Sequence, residues 1–364
     1  MFDIARSLYA AEKLDKIITG FPKNRLKKEN LPTNKIKSYP IYQLSALIIA
    51  KGPLGTTSSH KYINDRNKEY LDSKAVNQIG DSNLISMSSL GLRTARLVKK
   101  RGNIFIVNRW SHHIVSQRQI LEAQTSIWGW PELLPSEITI NRELEEYQLA
   151  DKIIVPSKAS RDSFRNQGIE MSKIIINPFP LSAKKLRNSN PHKKDILFVG
   201  NVTLQKGFPT LIQAFNLLNL VNVKLHVVGI YSKPFVSFLK NCALSFENIL
   251  LHGPLDTNRL KKLYEATDVF VLPSIHDGWG MVVNEAMSHG CIPIVSTGAG
   301  ASDQIEHGIN GYVFEAGDAV KLADCILKAL DNKELRSSMI LNMNTSPYFN
   351  RTWDDFCRVY INEN

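Results

Sequence analysis

Two carboxylates, Asp277 and Glu285, stand eight positions apart and are joined by a segment that contains Gly278 and Gly280. Ionised carboxylates accept hydrogen bonds from hydroxyl groups, and glycines allow a ligand to approach the backbone closely. If Glu285 lies on a helix that begins after Gly280, the unpaired N–H groups of the first helical turn offer a site for an anion. Hydroxyl acceptors beside an anion site suit a ligand that carries both kinds of group, such as a sugar phosphate.

The residues on either side of this segment predict how it is held. Residues 268–274 are mostly apolar and end in Pro273 and Ser274, as expected for a buried strand followed by a turn. Residues 291–296 have the pattern of the next strand. Together with the intervening helix, these runs predict a strand–helix–strand unit with the two carboxylates at one edge of a sheet.

A second polar cluster follows an earlier predicted strand. Residues 196–199 are apolar, and Gly200, Asn201 and then Lys206 come after them. A helical pattern over residues 211–215 follows this loop. Other apolar or glycine-containing runs of the same kind occur at residues 224–229, 250–255, 298–301 and 308–314.

In their order and spacing, these segments resemble the retaining glycosyltransferases of the GT-B fold, specifically the large family 4. That family has two acidic residues separated by seven others, which Asp277 and Glu285 match, although its first acid is usually Glu. It usually has Arg where Asn201 stands, so one positive charge of the family pattern is absent. The resemblance implies an α/β protein of the GT-B fold, in which two Rossmann-like, doubly wound domains face each other across a cleft.

The resemblance also implies roles for individual residues. Lys206 would contact the diphosphate of a nucleotide-sugar donor and stabilise the negative charge that grows as the glycosidic bond breaks. Asp277 would lie near the donor sugar ring, and Glu285 would bind the hydroxyl groups of the ribose. Without the resemblance, these residues could equally be a solvated loop lysine, a turn-forming aspartate and an exposed helix glutamate.

The donor-binding residues implied by the resemblance lie at strand ends and at one helix N-terminus: Gly200, Asn201, Lys206, Gly253, Pro254, Asp277, Gly278, Trp279, Gly280, Met281 and Glu285. Within this set, Gly253 and Pro254 are expected to line the pocket for the base. The backbone N–H groups of Gly280 and Met281 are expected to face the phosphate or the sugar.

In the first half of the chain, a segment with two histidines follows a predicted strand. Residues 103–107 form the strand pattern, and residues 108–113 follow at the end that faces the ligand crevice in an open α/β sheet. His113 best matches the histidine that the family places before a helix, and we expect it to be catalytic. An imidazole there would polarise a hydroxyl of the donor or acceptor. The alternative is a histidine that caps the helix or lies at the surface.

The length of 364 residues and the alternation of strand-like and helical runs predict two α/β domains. We expect an N-terminal acceptor-side domain over residues 1–182 and a C-terminal nucleotide-sugar-binding domain over residues 192–346. A helix over residues 347–362 is expected to pack back on the first domain. The chain opens on a helical pattern over residues 2–11, whereas a doubly wound domain begins with a strand. The first strand is therefore expected to be missing, and we favour a misassigned start.

Net charge is unevenly spread along the chain. Residues 1–190 hold 30 Lys and Arg against 17 Asp and Glu, whereas residues 191–364 hold 15 against 17. The densest basic stretch, residues 23–37, is followed by the apolar residues 41–50. Residues 23–50 would suit an anionic membrane surface, and we expect no nucleic acid as partner; a solvated basic loop and an ordinary core helix are the alternatives.

The remaining features narrow the class of protein. The four cysteines form no C-x-x-C pair, no apolar run reaches 18 residues, and the start lacks a signal-peptide pattern. We therefore expect no metal, no cofactor and a cytoplasmic location, peripheral on the cytoplasmic face of the membrane. The function expected is a retaining glycosyltransferase that uses a nucleotide-sugar and a saccharide acceptor, lipid-linked, in polysaccharide or lipopolysaccharide (O-antigen or exopolysaccharide) biosynthesis. The alternatives are a non-catalytic nucleotide-sugar binder and a nucleotide-sugar 2-epimerase.

Overall fold

The computed structural model describes residues 1–40, 57–180, 194–220, 222–242, 244–331, 333–348 and 350–362. Within these ranges, the chain forms one sheet of six strands, one of four and one of two, and all strand pairs are parallel. The fold is therefore the α/β class expected from the alternating pattern. Residues 183–191, which lie between the two expected domains, and the apolar residues 41–50 lie outside the described residues.

The first half of the chain is built around the four-stranded sheet, whose order is β3-β4-β5-β6. Strand β4 is buried along its whole length, because it lies inside the sheet and helices cover both faces. The elements of this half are α1 (Phe2–Ala10), β1 (Ile17–Thr19), α2 (Lys23–Leu26), β2 (Ile36–Ser38), α3 (Thr57–Val76), β3 (Leu84–Met87), α4 (Leu92–Lys100), β4 (Phe105–Asn108), α5 (Ile114–Trp128), α6 (Glu137–Leu149), β5 (Lys152–Val155), α7 (Lys158–Arg165) and β6 (Ile174–Ile176).

The second half is built around the six-stranded sheet, whose order is β12-β11-β10-β7-β8-β9. Its elements are β7 (Ile196–Val199), α8 (Phe208–Leu218), β8 (Leu225–Val228), α9 (Lys233–Asn241), β9 (Ile249–Gly253), α10 (Thr257–Ala266), β10 (Val269–Leu272), α11 (Met281–Ser288), β11 (Ile292–Ser296), β12 (Tyr312–Phe314), α12 (Ala319–Asp331), α13 (Lys333–Thr345) and α14 (Trp353–Asn362). From β7, the sheet continues with β8 and β9 on one side, and from β10 it continues with β11 and β12 on the other. The two neighbours β7 and β10 therefore mark the switch point, where open α/β sheets bind ligands beyond the carboxyl ends of the strands.

The start of the chain is a helix, as its sequence pattern predicts. Ile4, Ala5 and Leu8 of α1 are buried, and α1 packs against the last helix, α14. The first strand, β1, pairs with β2 in a separate two-stranded sheet. Within the described residues, the four-stranded sheet ends at β3, which is therefore an edge strand. No described strand takes the central position expected for the first strand of this sheet.

The last helix lies against the first half of the chain. Its residues Phe356, Cys357 and Tyr360 are buried, in keeping with their helical spacing. Tyr360 Oη donates a hydrogen bond of 2.5 Å to Asn108 Oδ1, at the end of β4. Asn177 Nδ2 donates to the carbonyl of Phe356 at 3.0 Å. None of the described helices is long and apolar enough to cross a membrane.

Candidate functional site

Two loops meet at the switch point of the six-stranded sheet. The phosphate loop, residues 200–207, follows β7, and the acidic loop, residues 273–280, follows β10. Ile275 N–H donates to the Gln205 carbonyl at 2.9 Å, so the loops are bonded to each other. Gly207 has φ +64°, and a Cβ there would lie 1.8 Å from the Pro273 carbonyl oxygen. Only glycine allows this contact, which fixes the residue before it, Lys206, beside the acidic loop.

Lys206 and Asp277 form an ion pair between these two loops. Lys206 Nζ lies 2.5 Å from Asp277 Oδ2, and the two side chains are 26% and 16% exposed. An ammonium group has three N–H donors, so Lys206 can bind Asp277 and still donate to a second anion. The structure therefore brings together the two charged residues that the sequence predicts for the phosphate and the sugar.

The helix that follows the acidic loop carries the second carboxylate. Helix α11 begins at Met281, just after Gly280, so the unpaired N–H groups of its first turn lie next to Asp277. Glu285 is exposed on this helix and accepts a hydrogen bond of 3.2 Å from Tyr264 Oη. Burial and the nearby Glu285 carboxylate raise the pKa of Tyr264, so the phenol remains a donor. Tyr264 thus orients a carboxylate that faces solvent.

The other glycine-containing strand ends lie at the same edge of the sheet. Gly229 N–H, at the end of β8, donates to the Gly253 carbonyl at 3.1 Å, and Gly200 N–H donates to the Val228 carbonyl at 2.9 Å. Asn201 and Pro254, which follow Gly200 and Gly253, are both exposed. Gly253 and Pro254, the residues expected to line a base pocket, thus lie on the β9 side of the phosphate loop.

Trp279, one of the predicted donor-binding residues, has a buried side chain. Its indole is 2% exposed and packs against Phe179 and Tyr348, with ring centroids 6.5 Å and 6.2 Å away. A large apolar ring gains most by burial, and an aromatic cluster surrounds it here. The side chain therefore contributes to packing, and its role in donor binding stays a prediction.

The side chain of His113 is buried as well. Its ring is 1% exposed, and its Nδ1 accepts a hydrogen bond of 3.3 Å from Val115 N–H, so it caps helix α5. The ring packs against Tyr147 and Phe164, each with its centroid 5.0 Å away. These contacts direct the imidazole into the core of the first half of the chain, and the Nδ1 bond is the one expected of a helix cap. Its Nε2 has no hydrogen-bond partner among the described residues, and the catalytic role of His113 stays a prediction.

A pair of histidines joins the two halves of the chain instead. His112 Nδ1 lies 3.0 Å from His276 Nδ1, and His276 Nε2 lies 3.0 Å from Ser111 Oγ. Because one Nδ1 must donate and the other accept, at least one imidazole is neutral. His112 Nε2 has no hydrogen-bond partner within the described part of the chain, which leaves one buried polar atom available beside the site. Sequence reasoning missed both roles, although His276 stands directly before Asp277.

Burial and positive neighbours keep these imidazoles neutral. Burial and the Arg109 guanidinium lower the pKa of His112 to about 4, and the Asp277 carboxylate acts weakly against them. Burial and the same guanidinium lower the pKa of His113 to about 4. The pKa of His276 is lowered by its burial, by His112, by Arg109 and by Lys206. Neutral imidazoles can exchange hydrogen bonds with a sugar hydroxyl without adding charge.

A close backbone contact accompanies the histidine pair. A Cβ built on Gly278 would lie 2.1 Å from the Trp110 carbonyl oxygen and 2.7 Å from Ser111 Cα. These atoms belong to the loop after β4, so the acidic loop touches the first half of the chain at Gly278. Nearby, Lys158 N–H donates to Asp303 Oδ2 at 2.7 Å, again across the two halves. The site therefore lies in a cleft whose walls come from both sheets.

The lowered histidine pKa values predict a stability that depends on pH. The unfolded chain binds protons at these histidines near pH 6.5, whereas the folded chain does so only near pH 4. Stability is therefore fully present above pH 6.5 and falls as the pH drops toward 4. The loss is about 1.4 kcal/mol per pH unit for each imidazole. Urea unfolding at pH 7.5 and at pH 5.5 measures it.

Two variants distinguish the effect of these imidazoles on stability from other causes of destabilisation at low pH. His112→Asn removes one of the depressed imidazoles and should reduce the pH slope of the unfolding free energy. His307→Gln changes an exposed histidine and should leave the slope as it is. A native chain equally stable at the two pH values would contradict the expectation.

Comparison with known proteins shows what the second half of the chain resembles. Residues 182–345 match the sequence model of the family described as Glycosyl transferases group 1. An uncharacterized glycosyltransferase of Methanocaldococcus jannaschii is 30% identical over 174 residues, which cover 47% of this chain and 44% of that protein. A glycogen synthase of Clostridium botulinum is 26% identical over 184 residues, covering 48% of this chain and 38% of the synthase. The chain thus spans less than half the length of these curated relatives.

A solved structure extends the likeness to the whole chain. The crystal structure of Anabaena HepE in complex with UDP and glucose superposes with a TM-score of 0.66 at 16% identity, covering 99% of this chain and 93% of HepE. A likeness at this identity concerns the fold. Together with other glycosyltransferase structures, it confirms the GT-B fold that the sequence predicts.

Proposed function

We propose that the protein is a retaining glycosyltransferase, and the match of residues 182–345 to the glycosyl transferases group 1 family model supports this proposal. It moves a sugar from a nucleotide-sugar donor to a saccharide acceptor in the synthesis of a polysaccharide or lipopolysaccharide. The donor lies at the switch point of the six-stranded sheet. The acceptor enters from the four-stranded sheet across the cleft.

The observation that carries this proposal is the Lys206–Asp277 pair beside the N-terminus of α11. A lysine and a helix N-terminus attract a diphosphate, and Asp277 is placed to accept a hydrogen bond from a sugar hydroxyl. As the bond from the sugar to the diphosphate breaks, negative charge grows on the phosphate oxygens, and Lys206 stabilises it. The departing phosphate then helps to deprotonate the acceptor hydroxyl, which attacks on the same face.

His112 completes the cleft from the acceptor side. Its Nε2 lacks a partner among the described residues, and its position is fixed by the Nδ1 contact with His276. If His276 donates in that contact, His112 carries its proton on Nε2 and donates to a hydroxyl; in the other tautomer it accepts from one. Either tautomer orients a sugar hydroxyl.

Transfer assays with a variant of Glu285 test the function. We expect the native chain to hydrolyse or transfer sugar from at least one labelled nucleotide-sugar, and Glu285→Ala to lose roughly 10- to 100-fold in donor affinity. The reason is that a hydrogen bond to a charged group contributes about 1.5–3 kcal/mol. Glu247→Ala, an exposed carboxylate elsewhere in the same half, is the matched control. Equal donor affinity in Glu285→Ala and Glu247→Ala would contradict the prediction that Glu285 binds the ribose of the donor.

A non-catalytic nucleotide-sugar binder is the second candidate, and Asn201 favours it. An amide at this exposed position donates hydrogen bonds but lacks the charge that Arg gives most family members. We expect Asn201→Arg to raise diphosphate affinity or leave it unchanged, and turnover to rise if the protein is an enzyme. Calorimetric titration with UDP and the transfer assay measure the two effects. A large loss of affinity would mean that the phosphate loop is built differently from the family's.

We further propose that the acceptor is lipid-linked and that the protein docks on an anionic membrane through its basic N-terminal region. Lys27 and Lys28 are exposed there, and each basic residue near an anionic leaflet contributes about 1 kcal/mol. Binding to anionic vesicles should therefore fall at high salt and in Lys27→Gln/Lys28→Gln. The control is Lys224→Gln/Lys262→Gln, two exposed lysines of the other half. Equal co-sedimentation with neutral and anionic vesicles would favour a soluble acceptor.

A further inference from the structure

One connection of the first half of the chain reaches over to the second half. The bridging segment, residues 129–136, joins α5 to α6. It begins at Gly129, whose left-handed conformation ends α5, and Glu132 N–H donates to Thr125 Oγ1 at 3.3 Å. The segment is therefore anchored to α5 at its start.

Trp130 attaches this segment to helix α9. Its ring lies against Phe235 and Phe238, with centroid distances of 5.1 Å and 5.0 Å. Aromatic pairs at such distances stabilise a contact beyond the area that they bury. A residue of the first half is thus held in an aromatic pocket of the second half.

Glu132 attaches the same segment to the phosphate loop. Its Oε1 accepts hydrogen bonds from Leu204 N–H at 2.7 Å and from Gln205 N–H at 3.2 Å. The next N–H of the turn, that of Lys206, donates to Thr203 Oγ1 at 3.2 Å. The turn that presents Lys206 is therefore capped partly by its own threonine and partly by a carboxylate from the other half of the chain.

We propose that Glu132 is a positioning residue for the donor diphosphate and that it acts through Lys206. When the two halves approach, the bridging segment places the Glu132 carboxylate on the N–H groups of Leu204 and Gln205. That contact fixes the turn and aims the Lys206 ammonium group at the diphosphate. Retraction of the first half releases the turn, so cleft closure and donor binding favour each other. The inference rests on the proposed function, because it assigns the diphosphate to Lys206.

Electrostatics alone and a positioning role predict opposite effects of removing the Glu132 carboxylate on UDP binding, so the proposal is testable. Removing a negative charge near a diphosphate site strengthens anion binding if charge is all that matters. A positioning role predicts that Glu132→Ala weakens UDP binding, by about tenfold, because the turn loses two charge-assisted hydrogen bonds. Glu132→Gln retains a carbonyl oxygen at the same place and should recover part of the affinity. Glu170→Ala, an exposed glutamate outside the cleft, should bind UDP as the native chain does.

A double-mutant cycle shows whether Glu132 acts through Lys206. In a Lys206→Ala background, the effect of Glu132→Ala on UDP affinity should fall from about tenfold to less than twofold, because the residue being positioned is gone. Additive losses in the double variant would mean that Glu132 does not act through Lys206. Tighter binding by Glu132→Ala would overturn the proposal in favour of a carboxylate that competes with phosphate.

Hydrogen exchange provides a readout that needs no nucleotide. Amide exchange over residues 203–207 should accelerate in Glu132→Ala and remain native in Glu170→Ala. Unchanged exchange in Glu132→Ala would overturn the proposal whatever the nucleotide result. If exchange accelerates but the native chain binds no nucleotide at all, the proposed function fails, and the assignment of Glu132 to a donor site fails with it.

Discussion

Lys206→Ala should reduce the affinity for UDP by roughly 10- to 100-fold and should reduce sugar transfer at least as much. The side chain supplies a charge-assisted hydrogen bond, for which about 1.5–3 kcal/mol is typical, and negative charge grows on the phosphate as the sugar leaves. The substitution also removes the ammonium group that lies 2.5 Å from the Asp277 carboxylate. The unpaired carboxylate then repels the diphosphate. Calorimetric titration with UDP and initial rates with the labelled donor measure the two losses.

Two further variants define what this result means. Lys206→Arg keeps the charge but replaces a point-like ammonium by a planar fork, so it should recover affinity more than turnover. Lys224→Ala removes an exposed lysine from the same half and should change neither quantity. Native turnover in Lys206→Ala would exclude the Lys206–Asp277 pair as the donor site.

Gly278→Ala should abolish most of the transfer activity while both sheets remain folded. Its methyl group would lie 2.1 Å from the Trp110 carbonyl oxygen, and a backbone atom cannot rotate away as a side chain can. The acidic loop and the loop after β4 must therefore separate, which breaks the Ser111–His276 and His112–His276 contacts. Overpacking of this kind costs about 1–3 kcal/mol when the structure cannot relax.

The measurements for Gly278→Ala should distinguish a change in the contact between the two halves of the chain from a change in donor binding. We expect turnover to fall by more than tenfold, UDP affinity to fall less, and the radius of gyration from small-angle scattering to rise. Gly80→Ala is the control, since a Cβ there meets no heavy atom within 4 Å. A compact and fully active Gly278→Ala would show that the observed contact with Trp110 is dispensable.

The acidic and phosphate loops could be predicted from sequence because the residues that define each loop are close together along the chain. An apolar strand, a glycine turn and a helix lie within about 20 residues of one another in each case, so residue type and spacing suffice. The position of Lys206 beside Asp277 follows from two such units in neighbouring strands. The GT-B fold was implied by the resemblance of these segments to a known family.

The positions of other side chains depend on contacts across the molecule, which the sequence pattern does not show. His112 and His113 are adjacent, and which of them faces the cleft is decided by His276, 164 positions from His112. Trp279 lies inside the acidic segment, yet the aromatic cluster around Phe179 buries it. Glu132 has no local signal at all, because its partners are backbone N–H groups 72 and 73 positions away.

The return of helix α14 to the first half of the chain has a mechanical consequence. The chain passes between the two halves twice, once between β6 and β7 and once between α13 and α14. A single flexible connection allows a body to swing and twist about many axes, whereas two separate connections restrict it to rotation about the line that joins them. We therefore expect the two halves to separate and approach along fewer paths than with one connection. Such a restriction would favour the same His112–His276 contact each time the halves approach.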